Sequence, residues 1–183
     1  ARPGVPRGRP APTHLTGQNL GMEIERRLVV PAPADEVFAL VDRLPAYLGW
    51  MGLVHEVIEL EPDSTGSDGV PRPAWDVELR ARVGPLARSK RLRMVRTVHD
   101  PVRAAVFERQ EVDGRAHAPW VLTALVEPMS QPSVELTMRL AYGGSLWTGA
   151  VLQRVLDDEI RSGSENLLAL VAGSPQEPPR SGR

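Results

Sequence analysis

The sequence predicts an α+β domain in which a curved antiparallel sheet of about seven strands wraps around one long C-terminal helix, with two short helices after the first strand. Three observations lead to this prediction. Residues 22–30 alternate apolar and polar side chains, and a proline-rich corner with two short helical segments follows at 31–50. Further alternating segments, separated by turn residues, run from 51 to 142. The proline-free segment 146–171 has apolar residues at helical spacing and is long enough to cover a sheet with one apolar face.

Composition is that of one soluble globular domain. The 183 residues are 42% hydrophobic and 25% charged, and no apolar run approaches the roughly 18 residues of a membrane span. We therefore expect a cytoplasmic protein. Cysteine is absent, and the scattered histidines lack metal-ligand spacing, so we expect no cofactor and no metal. Residues 1–20 and 173–183 are rich in proline and are expected to be disordered tails, which leaves 21–172 as the domain.

The charge pattern argues against a nucleic-acid binder. Without the tails the chain carries 17 basic and 22 acidic residues, whereas nucleic-acid binders usually have a basic excess. One stretch between residues 79 and 99 nevertheless has seven cations and no acid: Arg80, Arg82, Arg88, Lys90, Arg91, Arg93 and Arg96. We favour a solvated outer face paired with acids on neighbouring strands. The alternative is a docking face for membrane headgroups or RNA.

The individual elements follow from local pattern. In the first strand, Arg26 is the exception on the apolar parity of residues 22–30. A helix is expected from Asp35 to about Asp42, and Pro45 begins a second short turn. The remaining boundaries are a loop at 64–69, a turn at Gly84-Pro85, a tight hairpin turn at Asp113-Gly114, Ser145 as the N-cap of the last helix, and strands at 51–61, 75–83, 87–98, 102–112, 116–127 and 134–142.

Two motifs near the start of the domain carry a family resemblance. Val30-Pro31-Ala32-Pro33-Ala34-Asp35-Glu36-Val37-Phe38 is similar to the opening motif of the START-like superfamily, also called the helix-grip or polyketide cyclase/dehydrase and lipid-transport (SRPBCC) superfamily. Tyr47-Leu48-Gly49-Trp50 resembles the Tyr-Pro-x-Trp that follows there, with Leu48 in place of proline. Residues 81–86 resemble a turn of a narrower branch, the proteins related to the G subunit of carbon monoxide dehydrogenase. The resemblance covers roughly 22–172 and implies a helix-grip fold with an apolar cavity for a lipid, quinone, sterol or polyketide.

The inward-facing residues of the central strands are the candidate lining of that cavity. They are Trp75, Val77, Leu79, Met94, Trp120, Leu122, Met138 and Tyr142. An equally weighted interpretation is that they fill a closed core, because alternation shows which way a side chain faces and not whether space lies beside it. Two tryptophans and two methionines among them favour an adaptable apolar pocket. The closing helix is expected to contribute Leu152, Val155, Leu156 and Glu159.

Glu159 is the polar residue that breaks the apolar stripe of the closing helix, and Asn166 lies seven residues further along the same line. Our hypothesis is that Glu159 anchors a ligand, with Arg26 as a candidate partner, since an isolated buried charge is costly. The favoured alternative is that Glu159 lies near an end of the helix contact and reaches water. Gly163 is expected to let the sheet or a ligand approach the helix closely.

The sequence therefore predicts binding or transport of a hydrophobic or amphipathic small molecule in an internal cavity, without specific nucleic-acid binding. Residues 50–54 are either the cavity mouth, which could also touch a membrane, or the start of a strand, which we favour slightly. The first functional alternative is an aromatase/cyclase-type enzyme in which Glu159, Tyr142 or Arg26 would position an enolising polyketide chain. The second is a module that docks a macromolecule on its arginine-rich sheet face.

Overall fold

The computed structural model describes residues 22–64, 69–83, 86–130, 132–143 and 150–173, and it leaves aside the side chains of 81–83, 86–88 and 150–153. In chain order the elements are β1 Met22–Val30, α1 Ala34–Ala39, a 3₁₀ helix Leu44–Gly49, β2 Val54–Asp63, β3 Arg72–Val83, β4 Leu86–Asp100, β5 Ala104–Arg109, β6 Trp120–Pro128, β7 Val134–Tyr142 and α2 Ala150–Gly173. The predicted tails apart from Gly173, most of the 64–69 loop, the Gly84-Pro85 turn and Ser145 lie outside the described residues.

The seven strands form one antiparallel sheet in the order β1-β7-β6-β5-β4-β3-β2, so β1 and β2 are its edges. Register irregularities in β2 and at Arg96–Val98 of β4 bend the sheet, as β-bulges do. The closing helix α2 packs against β1 and β3, on opposite sides of the sheet order, and so spans its concave face. The predicted fold class is confirmed: a curved antiparallel sheet holds one long C-terminal helix, with two short helices after the first strand.

The core lies between this face of the sheet and the helices, because alternation gives the strands one apolar side. Trp75 on β3, Leu92 on β4 and Phe107 on β5 are buried at its centre, and the Trp75 and Phe107 rings meet edge to face at 5.8 Å. Leu156 and Leu167 of α2 are buried against the same cluster. Burial of these side chains is what fixes the helix on the sheet.

Two element boundaries near the two short helices differ from the predictions because the chain continues there in hydrogen-bonded turns. The first helix ends at Ala39 rather than near Asp42, where Leu40 N–H already bonds to the Val37 carbonyl. The strand predicted from residue 51 begins at Val54, because Met51 N–H bonds back to the Tyr47 carbonyl at 2.8 Å. The bonds at the end of the 3₁₀ helix thus delay strand pairing.

The predicted tight hairpin at Asp113-Gly114 is wrong, although β5 and β6 do pair in antiparallel fashion. The strands end and begin at Arg109 and Trp120, leaving residues 110–119 as a ten-residue loop. The Arg109 side chain, only 9% exposed, organises this loop: its guanidinium bonds to Glu111 at 2.6 Å, to His117 at 3.1 Å and to the Ala118 carbonyl at 3.4 Å. Because residues 110–119 bond to the Arg109 side chain, they do not extend the hydrogen-bonded pairing of β5 with β6.

Val102, in the turn between β4 and β5, has a left-handed backbone with φ of 64°, which is unfavourable for a β-branched residue. Arg103 N–H closes the turn on the Asp100 carbonyl at 3.0 Å. Asparagine tolerates this conformation better, so Val102→Asn should stabilise the domain by about 1 kcal/mol in urea denaturation. The matched control is Val112→Asn, an exposed valine without a positive φ. An equal change in both variants would contradict the backbone explanation.

Candidate functional site

A cavity of about 70 Å³ lies between the concave face of the sheet, the 3₁₀ helix and α2. Its walls are mainly apolar side chains from every layer of the fold. The lining residues are Leu28, Tyr47, Trp50, Met51, Leu53, Val54, Leu79, Trp120, Leu122, Leu136, Met138, Arg139, Leu140, Ile160, Ser164 and Leu167. Such a lining can bury a hydrocarbon or aromatic group but offers little for a polar one.

The hydroxyl groups in this wall bond to the protein's own backbone. Ser164 Oγ donates to the Ile160 carbonyl at 2.7 Å, one turn earlier in α2, and Tyr47 Oη donates to the Val41 carbonyl at 3.1 Å. Burial raises the pKa of Tyr47 far above its ordinary value, and the Asp42 charge adds to the effect. Tyr47 therefore remains a neutral phenol and supplies shape rather than acid–base chemistry.

Residues 50–54 close one side of the cavity, so this segment both borders the cavity and leads into β2. Trp50 is held from three directions: its Nε1 donates to the Leu40 carbonyl at 3.1 Å, its ring lies 4.7 Å from that of Tyr47, and its carbonyl accepts from Asn166 Nδ2 at 3.1 Å. Asn166 thus fastens the segment to α2. We call residues 50–54 the mouth segment.

Gly163 allows the close approach that the sequence suggested, but the partner is the mouth segment. A Cβ at Gly163 would lie 3.0 Å from Met51 Sδ and Cε and 3.5 Å from the Trp50 carbonyl oxygen. The contact between α2 and the mouth segment is therefore as tight as a glycine allows. The expected approach of the sheet or of a ligand is not what Gly163 accommodates in this structure.

The predicted lining residues divide into two groups. Leu79, Trp120, Leu122 and Met138 line the cavity. Trp75, Val77, Met94 and Leu156 are buried in the core cluster, Tyr142 is buried with its ring 5.1 Å from that of Trp120, and Val155 is half-buried. The side chain of Leu152 lies outside the described residues. The rest of the wall comes from β1, the 3₁₀ helix, the mouth segment, β7 and α2. Alternation alone did not identify the contribution of the mouth segment.

Glu159 lies beside the mouth segment, where a Cβ at Gly52 would come within 3.2 Å of its Oε2. It is half-buried. The suggested pairing with Arg26 is wrong: Arg26 lies on edge strand β1, is exposed, and bonds to Asp157 of α2 at 3.3 Å. Asp157, two residues before Glu159 on α2, faces β1 and is the acid that pairs with Arg26. A ligand-anchoring role for Glu159 stays a prediction.

The described part of the basic run on β3 and β4 is largely paired with acids, as favoured from the sequence, and the partners of Arg91 and Arg93 lie on neighbouring strands. Arg80 pairs with Glu78 at 2.9 Å, and Arg91 pairs with Glu56, Asp76 and Glu78. Two further arginines pair with more distant partners: Arg93 with Asp63 at 2.7 Å and Arg96 with Asp42 at 3.8 Å. The side chains of Arg82 and Arg88 lie outside the described residues. The pairing leaves little free charge on the described part of this face for an anionic macromolecule.

Lys90 departs from the rest of the run because it faces inward. Its Nζ lies 5.5 Å from the ring centroid of Trp120 and 5.3 Å from that of Tyr142, which are cation–π distances. Burial lowers the pKa of Lys90, the Arg109 charge lowers it further, and Glu111 opposes both. The sequence contained a signal for this inward direction, since Lys90 shares the parity of the apolar residues Leu92 and Met94. Sequence reasoning missed it because Lys90 lies within a run of arginines.

The described residues hold neither a metal-binding cluster nor a membrane-spanning helix. No group of three or more histidine, aspartate or glutamate side chains in these ranges could hold a metal ion. None of the helices in the same ranges is both long and apolar enough to cross a membrane.

The architecture matches known structures across most of the chain. A START superfamily protein from Mycobacterium smegmatis aligns with a TM-score of 0.62 at 14% identity, over 82% of this chain and 97% of that one. The fold is START-like. A Thermus thermophilus protein gives 0.62 at 17% identity over 84% and 100% of the two chains, and the Zhui aromatase/cyclase of Streptomyces sp. R1128 gives 0.57 at 14% over 82% and 93%.

The sequence itself matches no known family model, and a search of curated proteins found no similar sequence. At these identities the similarity to solved structures establishes the START-like fold and nothing finer. Nothing in these comparisons supports the narrower likeness to the G subunit of carbon monoxide dehydrogenase.

Proposed function

We propose that this START-like domain binds a hydrophobic or amphipathic small molecule in the cavity between its sheet and α2, and carries it or presents it to another protein. The observation that carries the proposal is the apolar wall, to which sheet, mouth segment and helix all contribute. Apolar burial supplies most of the affinity in such a site, at roughly 25 cal/mol per Å² removed from water. A lipid, quinone or polyketide-like molecule fits this chemistry.

The size of the cavity sets a condition on this function. At about 70 Å³ it is smaller than the ~300–1,000 Å³ of ordinary small-molecule sites, so a full ligand requires the walls to move. The first lining group that can move is the Met51 side chain of the mouth segment, because methionine changes rotamer readily; displacement of the rest of the segment requires the Asn166 bond to Trp50 to break. We infer that the structure represents the closed form of a binding site.

The enzyme alternative lacks an assembled set of catalytic groups among the described residues. Glu159 lies at the mouth segment, Tyr142 lies against Trp120, and Arg26 is engaged by Asp157 at the edge of the sheet. Proton transfer to an enolising chain requires such groups to converge on one substrate position. The aromatase/cyclase among the solved structures shares the fold, and the described residues favour binding over catalysis.

Native mass spectrometry of the purified full chain tests the proposal. We expect a species heavier than the chain alone, with the added mass lost after solvent extraction, and we expect the extracted protein to bind the neutral dye Nile red. A single mass equal to the chain alone, together with no rise in Nile red fluorescence on titration, would contradict the proposal.

A further inference from the structure

We propose that the end of the cavity beside Trp120 is an anion site, in which the Lys90 ammonium receives the negatively charged oxygen head of an amphipathic ligand whose apolar part lies in the cavity. This inference rests on the proposed function, because it names the chemical class of ligand for the same site. Lys90 is the only lysine in the chain.

The position of Lys90 follows from the register of the sheet. It pairs directly with Leu79 of β3, and side chains of a directly opposed pair lie on the same face. Leu79 and Trp120 both line the cavity. Leu92 and Met94, two and four residues further along β4, are buried at 1% and 3% exposure on that same face. Counted from Met94 toward the start of β4, Lys90 is therefore the last position on this face whose side chain the structure describes.

Because β5 ends early, the Lys90 side chain can extend from β4 to aromatic rings on β6 and β7. The β4–β5 ladder extends only to the pair of Met94 and Arg109, after which the chain leaves the sheet in the 110–119 loop. Lys90 lies four residues beyond that pair, where β5 no longer intervenes between β4 and β6. Its side chain crosses this gap to the rings of Trp120 on β6 and Tyr142 on β7.

The Lys90 ammonium forms no ion pair with a carboxylate among the described residues. Among the described residues, no carboxylate lies within ion-pair distance of it, and Glu111, whose charge acts on it, is bonded to Arg109 at 2.6 Å. The two aromatic rings offer quadrupoles but no net charge. A half-buried cation of this kind is costly until an anion joins it. A carboxylate, enolate or phenolate at the end of an apolar ligand would supply that anion.

The binding of such an anion should depend on alkaline pH. The groups acting on Lys90 are Arg109 of β5, Glu111 of the adjoining loop and Tyr142 of β7. Burial and Arg109 lower the pKa of Lys90 from 10.5, whereas burial raises the pKa of Tyr142 from 10.0. Affinity for decanoate should fall as pH rises through a midpoint below 10.5, and affinity for decanol should stay constant. A parallel loss for both ligands would count against the assignment.

Substitution of Lys90 in the full chain provides the decisive test. Isothermal titration calorimetry at neutral pH would compare decanoate with decanol, two ligands of equal chain length that differ in the charge of the head. We expect wild type to prefer decanoate, Lys90→Met to lower that preference about tenfold with decanol affinity unchanged, and Lys90→Arg to retain it. The matched control is Arg161→Met, which removes one positive charge from an exposed position on α2.

The outcomes separate this inference from the function on which it rests. If decanol and Nile red bind but Lys90→Met leaves the decanoate preference intact, the anion site is refuted and the cavity remains. If Arg161→Met lowers the preference as much as Lys90→Met, general surface charge explains it and the site is again refuted. If neither ligand nor dye binds wild type, the proposed function itself falls, and the anion site with it.

Discussion

Replacing Leu122 with tryptophan should weaken binding of apolar ligands at least about tenfold while leaving the domain folded. Leu122 is half-buried on β6 and lines the cavity, so an indole there would occupy space that a ligand needs. We expect Nile red and decanol affinities to fall at least about tenfold, the factor that corresponds to about 1.4 kcal/mol. Overpacking usually costs about 1–3 kcal/mol, and at this position the empty volume reduces that cost. Fluorescence titration and urea denaturation measure the two effects.

Val121→Trp is the matched control because it places the same side chain one residue earlier on the same strand. Successive strand residues point to opposite faces of a sheet. Trp120 and Leu122 line the cavity, so Val121, which lies between them in sequence, faces away from it. Its variant should bind Nile red as wild type does. Equal loss of binding in both variants would mean that the dye does not occupy the cavity.

Arg93→Met should lower the free energy of unfolding by about 3 kcal/mol, the cost of breaking a buried ion pair by removing one partner. Arg93 contacts Asp63 at 2.7 Å, and the two side chains are only 15% and 4% exposed. Its Nη1 also donates to the Gln110 carbonyl at 2.8 Å, which fastens the 110–119 loop to β4. Methionine would remove the guanidinium that contacts the buried Asp63 carboxylate and the Gln110 carbonyl.

Urea denaturation checks this effect as a lower midpoint with an unchanged slope. Arg161→Met is the comparison, since Arg161 and Asp158 form an exposed pair on α2 and such pairs contribute about 0–1 kcal/mol. If the two variants lost similar stability, the arginine run would not owe its presence to buried structural pairing. Its role as a docking face would then need to be reconsidered.

The strands and the closing helix could be predicted from sequence because their signals are local. Alternation along β1, β3 and β7 and the stripe of α2 each reflect one buried face, and all four elements are present. The fold class followed from their order, since consecutive strands with short turns pair antiparallel. Two motifs near Val30 and Trp50 then pointed to the START-like fold.

The details that failed depend on contacts between distant residues. The 110–119 loop replaces a tight hairpin because Arg109 binds residues at both ends of it, which the Asp-Gly signal does not encode. Arg26 meets Asp157 rather than Glu159 because of how α2 rotates against an edge strand. The position of the cavity could not be predicted from the sequence either. Trp75 and Leu79 share one parity, yet Trp75 packs on Phe107 and Leu79 lines the cavity.

A crystal structure of the full chain with bromine-terminated decanoate tests the central claim most directly, because the anomalous signal of bromine marks the end of the apolar chain. The account predicts bromine inside the cavity near Leu136 and Leu167, with the carboxylate at Lys90 and the mouth segment displaced to make room. Bromine found only on the outer surface of the sheet, or no bound ligand at saturating concentration, would contradict the claim that this cavity is a binding site.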